Sequence, residues 1–298
     1  HWTFDGPNMT NATATDITGN GNNLTLFGTS TRLSGKIGQA LNFDRVDDYG
    51  TTAGINLSST NVASISFWLY KTDFSDAGGI LYEVTTNTNL STTGFVMSYN
   101  DPATCGVATR IELNIRGNNT GVQSGNNTAC FDSPTSGWHH YVGIFNKGNS
   151  SNEPDLYIDG ILQTATSRPN NSNNTNNFGT DPHFVMSRNG GLLAVGKMDD
   201  VRVYPRRLTA TEITKLYTAG GGKVNVSPTL PISSGLVGYW TFDGSKMTNA
   251  TATDSSSSGN NGTLTNMTAT SSAVNGKLGQ ALNFGNVSDQ RVDPNSTV

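Results

Sequence analysis

Charge is scarce in this chain. Only 13% of its 298 residues are Asp, Glu, Lys or Arg, and the net charge is −4. A basic patch able to track a phosphate backbone is missing, which excludes nucleic acid as a partner. Glutamate is rarer still, at Glu83, Glu112, Glu153 and Glu212, each isolated in sequence. The adjacent pairs Asp47-Asp48 and Asp199-Asp200 alternate across a strand instead of facing one another. With no nucleophile elbow and no phosphate loop, the chain reads as non-enzymatic. No apolar run reaches the roughly 18 residues of a membrane span. Cysteine is limited to Cys105 and Cys130, which bracket a Gly/Asn-rich stretch and form no metal motif. They are either a disulfide across that excursion or two buried thiols, and a disulfide implies an oxidising, extracellular setting.

What is abundant is Gly, Asn, Ser and Thr, the residues of turns and strand faces. Asn-x-Ser/Thr sequons begin at Asn8, Asn11, Asn23, Asn56, Asn89, Asn118, Asn126, Asn149, Asn170, Asn173, Asn225, Asn249, Asn261, Asn266, Asn286 and Asn295. That exceeds what the composition generates by chance, and a subset is expected to carry N-glycans on an extracellular or cell-surface protein.

Short strands between turn clusters fill the chain. The pattern predicts strands at Trp2–Asp5, Asn23–Phe27, Gln39–Phe43, Ile80–Val84, Phe95–Tyr99, Arg110–Ile115, Tyr141–Phe145, Asp155–Ile158, Gln163–Thr166, His183–Ser187 and Met198–Tyr204. The strongest is Ala63–Tyr70, where Ile65, Phe67 and Leu69 make one apolar face and Trp68 falls on the other, against a loop, a glycan or a partner. His139 and His140, being adjacent, point to opposite sheet faces. Asp159-Gly160 signals a hairpin turn. One helix is predicted over Leu208–Tyr217, with Thr209 as N-cap and Glu212 completing a capping box. The fold class is all-β, a two-sheet antiparallel sandwich.

The opening of the chain recurs. Residues 1–16 (HWTFDGPNMTNATATD) match residues 239–254 (YWTFDGSKMTNATATD) at thirteen of sixteen positions, and GKIGQALNF at 35–43 returns as GKLGQALNF at 276–284. Nothing from 45–234 is repeated afterwards. This is a tandem array seen through a window. Because residue 1 falls inside a repeat, more sequence is expected upstream. Expected domains are 1–218, a proline-containing linker at 219–234, and an incomplete repeat at 235–298.

Four segments in this order resemble the laminin-G-like jelly rolls of the concanavalin A-like lectin/glucanase superfamily: WTFDG…GQALNF, SISFWLY, WHHYV followed by DLYIDG, and GKMDDVRVYPRRLTATEITKLY. The resemblance spans about residues 1–218. It implies a jelly roll whose opening and closing strands lie side by side, with the helix after the last strand, and a partial second jelly roll at 235–298. Hydrolases of that superfamily carry a Glu-x-Asp-x-x-Glu strand, which this chain lacks. A structural Ca²⁺ held by Asp5, Asp16 and Asp199 or Asp200 is the cofactor expectation. The bland alternative makes Asp5-Gly6 a turn and pairs Asp200 with Arg202 or Arg206. Two functions remain open. One is a glycosylated structural or adhesive repeat that binds copies of itself head to tail, with the C-terminal copy completed by further chain or by a neighbour. The other is a carbohydrate-binding module, for which Trp68, Tyr99 and Tyr204 are the aromatic candidates.

Overall fold

The computed structural model describes the chain except for residues 11, 77, 86–93, 117–126, 149–153, 171–175, 189–190, 222–236, 257, 276–279, 286–288 and 295–298. The chain divides into two compact units, His1–Val224 and Asn225–Val298. Residues 222–234 of the expected linker lie outside the described residues.

In the first unit the strands are β1 (Thr13–Ala14), β2 (Leu24–Phe27), β3 (Thr31–Ser34), β4 (Gln39–Asp44), β5 (Tyr49–Asn56), β6 (Val62–Lys71), β7 (Gly79–Val84), β8 (Gly94–Tyr99), β9 (Ile111–Arg116), β10 (Asn127–Phe131), β11 (Gly137–Asn146), β12 (Asp155–Ile158), β13 (Ile161–Leu162), β14 (Ser167–Asn170), β15 (Thr180–Val185) and β16 (Val195–Tyr204). Two helices accompany them, α1 (Pro102–Cys105) and α2 (Ala210–Ala219). One sheet has nine strands in the order β1-β2-β5-β15-β7-β8-β9-β10-β14, the other seven in the order β13-β12-β11-β6-β16-β4-β3. All pairings are antiparallel, which makes the sandwich that the alternating sequence called for.

Alternation decides which side chains enter the core. Ile65, Phe67 and Leu69 of β6 meet Phe95, Met97 and Tyr99 of β8 and Ile111, Leu113 and Ile115 of β9 in one buried cluster. The outer face of the seven-stranded sheet is covered by α2. Ile213 and Leu208 pack there on Val142, Ile144 and Tyr157. The capping box forms as its spacing predicts, with Thr209 accepting from the Glu212 amide and Glu212 from the Thr209 amide. Trp68 is therefore no surface residue. It is 1% exposed, stacked on Tyr217 of α2 at 5.7 Å between ring centroids.

Asp159 and Gly160 both adopt positive φ, 53° and 80°, and join β12 to β13 in a tight hairpin. His139 and His140 do diverge: His140 is buried against Ser66 Oγ (2.9 Å), while His139 Nδ1 meets Asp159 (2.6 Å). Two expected strands do not form. Trp2–Asp5 makes only an isolated bridge from Trp2 to Val201, because Phe4 turns into the left-handed region at φ 58°. Gln163–Thr166 is the loop between β13 and β14. The opening and closing segments nonetheless lie side by side, through that bridge and through β4 pairing with β16.

The second unit contains a four-stranded sheet of β17 (Met247–Thr248), β18 (Thr251–Ala252), β19 (Gly262–Thr265) and β22 (Arg291–Pro294). A two-stranded sheet joins β20 (Ala273–Asn275) to β21 (Gln280–Leu282).

Candidate functional site

The face of the nine-stranded sheet that looks away from the core is unusual in being polar and buried. With Ile111, Leu113 and Ile115 committed to the core, the same alternation sends Glu112, Asn114 and Arg116 of β9 to the other face. Register sets their neighbours: Ser98 of β8 and Cys130 of β10 flank Glu112, and Val96 and Thr128 flank Asn114. Ser98, Glu112, Asn114 and Arg116 are each no more than 7% exposed. The string IELNIR reads as an ordinary half-solvated strand, so the burial of its polar half is a finding of the structure.

Charge on this face is balanced within it. The Glu83 carboxylate, fully buried on β7, accepts from Arg188 Nε at 3.1 and 3.0 Å and from Arg116 Nη1. Burial pulls the Arg116 guanidinium below its ordinary value, and the Glu83 charge opposes that. Glu112 accepts from Ser98 Oγ (3.4 Å) and Asn114 Nδ2 (3.3 Å). Burial, then the nearby Asp101 charge, raises its carboxyl above the usual range. Asn114 Oδ1 is buried without a hydrogen-bond partner.

All of these groups except Glu83 line a cleft of about 310 Å³. Its floor is Ser98, Glu112, Asn114 and Arg116; its walls are Arg188, Leu192 and Ile80 on one side and Asn100, Asp101 and Thr104 on the other. Helix α1 forms part of the rim. Asp101 caps it, accepting from Thr104 N (3.2 Å) and Thr104 Oγ1 (2.8 Å). The Cys105–Cys130 disulfide pins it to β10, beside Glu112. The two cysteines are thus bonded, the first of the two readings their spacing left open. Gly78 closes the end of the cleft at φ 75°, where a Cβ would meet the Asn100 carbonyl oxygen at 2.8 Å.

The aromatic candidates for sugar contact lie elsewhere. Trp68 is under α2. Tyr99 borders the cleft but turns its ring to the core and donates its hydroxyl to Asp76 (3.1 Å). Tyr204 packs on the α2 cluster with Arg206 5.8 Å over its ring.

Each of the four expected calcium ligands accepts from protein donors, and Asp199 Oδ1 is in addition buried without a hydrogen-bond partner. Asp5 accepts from Gln39 N (2.8 Å) and Asp199 from Lys36 N and Ile37 N (2.9 and 2.8 Å). Asp16 accepts from the His1 amino group and from the loop amides of Thr18 and Asn22. Asp200, at φ 52° in a bulge of β16, pairs with Arg202 (2.9 Å) and His1 Nε2 (2.6 Å). Among the described residues the one three-carboxylate group is Asp44, Asp47 and Asp48, in the turn before β5.

Of the sequons, Asn23, Asn56, Asn249, Asn261 and Asn266 are exposed, and Asn8 is half-buried with Nδ2 donating to Thr3 Oγ1 (3.1 Å). Asn170 ends β14. Asn11, Asn89, Asn118, Asn126, Asn149, Asn173, Asn225, Asn286 and Asn295 lie outside the described residues.

The family model Laminin_G_3, of the concanavalin A-like lectin/glucanases superfamily, matches residues 44–214. The chain belongs to this superfamily. Among solved structures, domain 4 of AbnA, an extracellular arabinanase from Geobacillus stearothermophilus solved with arabinotriose, is similar at 18% identity and TM-score 0.52. That match covers 72% of this chain and 96% of the other. Two botulinum neurotoxin binding domains match at TM-score 0.52: serotype DC in complex with rat synaptotagmin II (13% identity) and type C, whose cell entry depends on two ganglioside molecules (14%). Each of these covers 74% of this chain, which spans about half (51%) of the toxin domain. No curated protein matches. At these identities the likeness establishes the concanavalin A-like fold, and the site must be argued from its own residues.

Proposed function

We propose that this chain is a non-enzymatic, extracellular carbohydrate-binding module whose saccharide site is the cleft over β8 and β9. One observation carries the reading: Asn114 Oδ1 is buried without a partner in a 310 Å³ cleft that also presents Glu112 and Arg188. A buried amide oxygen left unmade costs about 1–3 kcal/mol; Oδ1 is closed off from solvent, so a ligand hydroxyl recovers that cost once the Asn114 amide turns toward the cleft. A sugar offers adjacent hydroxyls that donate and accept together. The cleft answers with an amide and a carboxyl to accept, and with guanidinium groups to donate. Its size is at the lower end for small-ligand sites, suited to one or two sugar rings. Binding rather than hydrolysis fits the carboxylates: Asp101 spends its oxygens on the α1 cap, so among the described residues no second free carboxylate lines the cleft with Glu112. The arabinotriose bound by the arabinanase domain makes arabino-oligosaccharides the first probe. Saturable binding by calorimetry, lost in Asn114→Ala, supports the site; undiminished binding in that variant refutes it. N-glycans on the exposed Asn23, Asn56, Asn249, Asn261 and Asn266 belong to the same reading, and glycopeptide mass spectrometry of secreted material tests them.

A second reading, a building block that joins copies of itself, is favoured by the recurrence of the opening segment in the second unit. It is compatible with sugar binding, since it uses different residues.

A further inference from the structure

Charge in the cleft is unevenly settled. The guanidinium groups of Arg116 and Arg188 share one carboxylate, Glu83, which accepts from Arg188 Nε at 3.1 and 3.0 Å and from Arg116 Nη1. Glu112, the carboxylate on the floor, has no such arrangement. Among the described residues it accepts only from Ser98 Oγ and Asn114 Nδ2, which are uncharged and stand at 3.4 and 3.3 Å. A carboxylate paired with a cation draws its donors in to roughly 2.7–2.9 Å. The other anion lining the cleft, Asp101, sits on the rim and holds both Thr104 donors at the start of α1. Three carboxylates thus meet two guanidinium groups, and the unmatched negative charge lies at Glu112 and Asp101.

The groups around Glu112 come from four elements. Burial first, then the Asp101 charge on the α1 rim, raises its carboxyl; the Asn114 bond, the Arg116 charge and the Ser98 bond from β8 act the other way. Cys130 of β10, its neighbour in register, is bonded to Cys105 and carries no charge. The Arg116 guanidinium, the cation on its own strand, is committed to Glu83. A carboxylate only 6% exposed is stable as an anion when a positive charge sits beside it and donors reach it. The protein supplies weak donors here and leaves the charge to the occupant.

We propose that the saccharide of this cleft is an amino sugar, bound with its ammonium group against Glu112 in the field of Asp101. This names the ligand class within the carbohydrate-binding reading above, on which it rests. A hydroxyl donates one hydrogen bond and brings no charge, whereas an ammonium brings three donors and the missing positive charge. Asp101 acts through its charge, since its oxygens are held by the cap. Leu192, 57% exposed, and Ile80 give the cleft an apolar wall for the C–H face of the ring. N-acetylation of the sugar removes the charge and sets a neutral amide against the carboxylate, so one group separates a ligand from a non-ligand.

Matched ligands test this by calorimetry on the intact chain: a glucosamine trimer with free amines, its N-acetylated counterpart, and arabinotriose. The free-amine trimer should bind at least tenfold tighter than the acetylated one at low salt, and the ratio should shrink as salt screens the charges. Its affinity should rise between about pH 4 and about pH 6, as Glu112 gives up its proton. Glu112→Gln should abolish both the preference and that rise. Asp101→Asn, which keeps a capping side chain, should lower the preference about threefold with the melt unchanged. An equal loss for all three ligands in Glu112→Gln overturns the proposal, since the side chain then only shapes the cleft. Acetylated trimer or arabinotriose binding as tightly as the free amine also overturns it, and in both cases the carbohydrate reading survives. Calcium chloride that binds on its own, and no longer does in Glu112→Gln, overturns it by making the unmatched charge a metal site. Failure of every sugar to bind removes both readings.

Discussion

Glu83→Gln, in the buried ion cluster that holds two of the cleft's arginines, is the most informative single change. The side chain is fully buried and its carboxylate serves two guanidinium groups, Arg116, whose side chain is 5% exposed, and Arg188, 18% exposed. The amide keeps the shape but removes the charge, leaving two cations in a site built for a triad. Breaking a buried ion pair by removing one partner costs about 3–5 kcal/mol, because the surviving charge has been taken out of water. For a unit of this size each kcal/mol lowers Tm by about 2–4 °C, so a fall of roughly 10–15 °C is expected by calorimetry. The diagnostic step is a second substitution. Adding Arg116→Met to Glu83→Gln removes one of the uncompensated charges and should recover part of the loss. If Glu83→Gln costs under about 1 kcal/mol, or if the two losses simply add, the buried-charge reasoning is refuted.

Three further outcomes follow from other parts of the molecule. Asp199 is fully buried, and that burial pushes its carboxyl up to about 7 from 3.8. Between those values the native state holds a proton that the unfolded chain has released, so stability is greatest at low pH and falls as pH rises through 7. Three units at about 1.4 kcal/mol each set a limit of about 4 kcal/mol, so Asp199→Asn should be near neutral at pH 4 and stabilising at pH 8; a loss of equal size at both pH values would contradict this. Replacing Cys105 and Cys130 by Ser opens a loop with a sequence separation of 25 and should cost about 3.5 kcal/mol, with sugar affinity falling as α1 loosens; an unchanged denaturant midpoint would show the bridge to be dispensable. If Asp5, Asp16 and Asp199 or Asp200 hold the proposed calcium, with Asp199 Oδ1 the buried oxygen still without a partner, EDTA lowers the melt, and an unchanged melt would overturn the site.

Features set by neighbours in sequence were the legible ones. The α2 capping box, the Asp159-Gly160 turn and the alternation of β6 each depend on residues within one turn or one strand, and each formed as read. Strand β5 was missed because Gly50, Thr51, Thr52 and Gly54 carry neither apolar alternation nor β-branched bulk enough to announce it. Strand β10 was hidden inside the cysteine-bracketed stretch, where only pairing with β9 defines it. The cleft was illegible for a related reason. Glu83 lies 33 residues from Arg116 and 105 from Arg188, and only the β15-β7-β8-β9 order brings them together. Trp68 was read correctly as facing away from Phe67, but its cover, α2, is supplied by tertiary packing 140 or more residues away. The register shift between β16 and β6 at Asp199–Arg202, with Asp200 in the left-handed region, has no signal in the sequence pattern.

The saccharide proposed for the cleft is held by Asn114, Glu112 and Arg188. The direct measurement is titration of the intact chain with arabinotriose and a panel of other oligosaccharides, followed by backbone amide NMR, for wild type and for Asn114→Ala and Glu112→Gln. Saturable binding of at least one sugar is expected, with shifts concentrated on β8 and β9 and at least tenfold weaker binding in both variants, whose melting changes little. Binding that maps to another surface, or no binding across the panel, would contradict it.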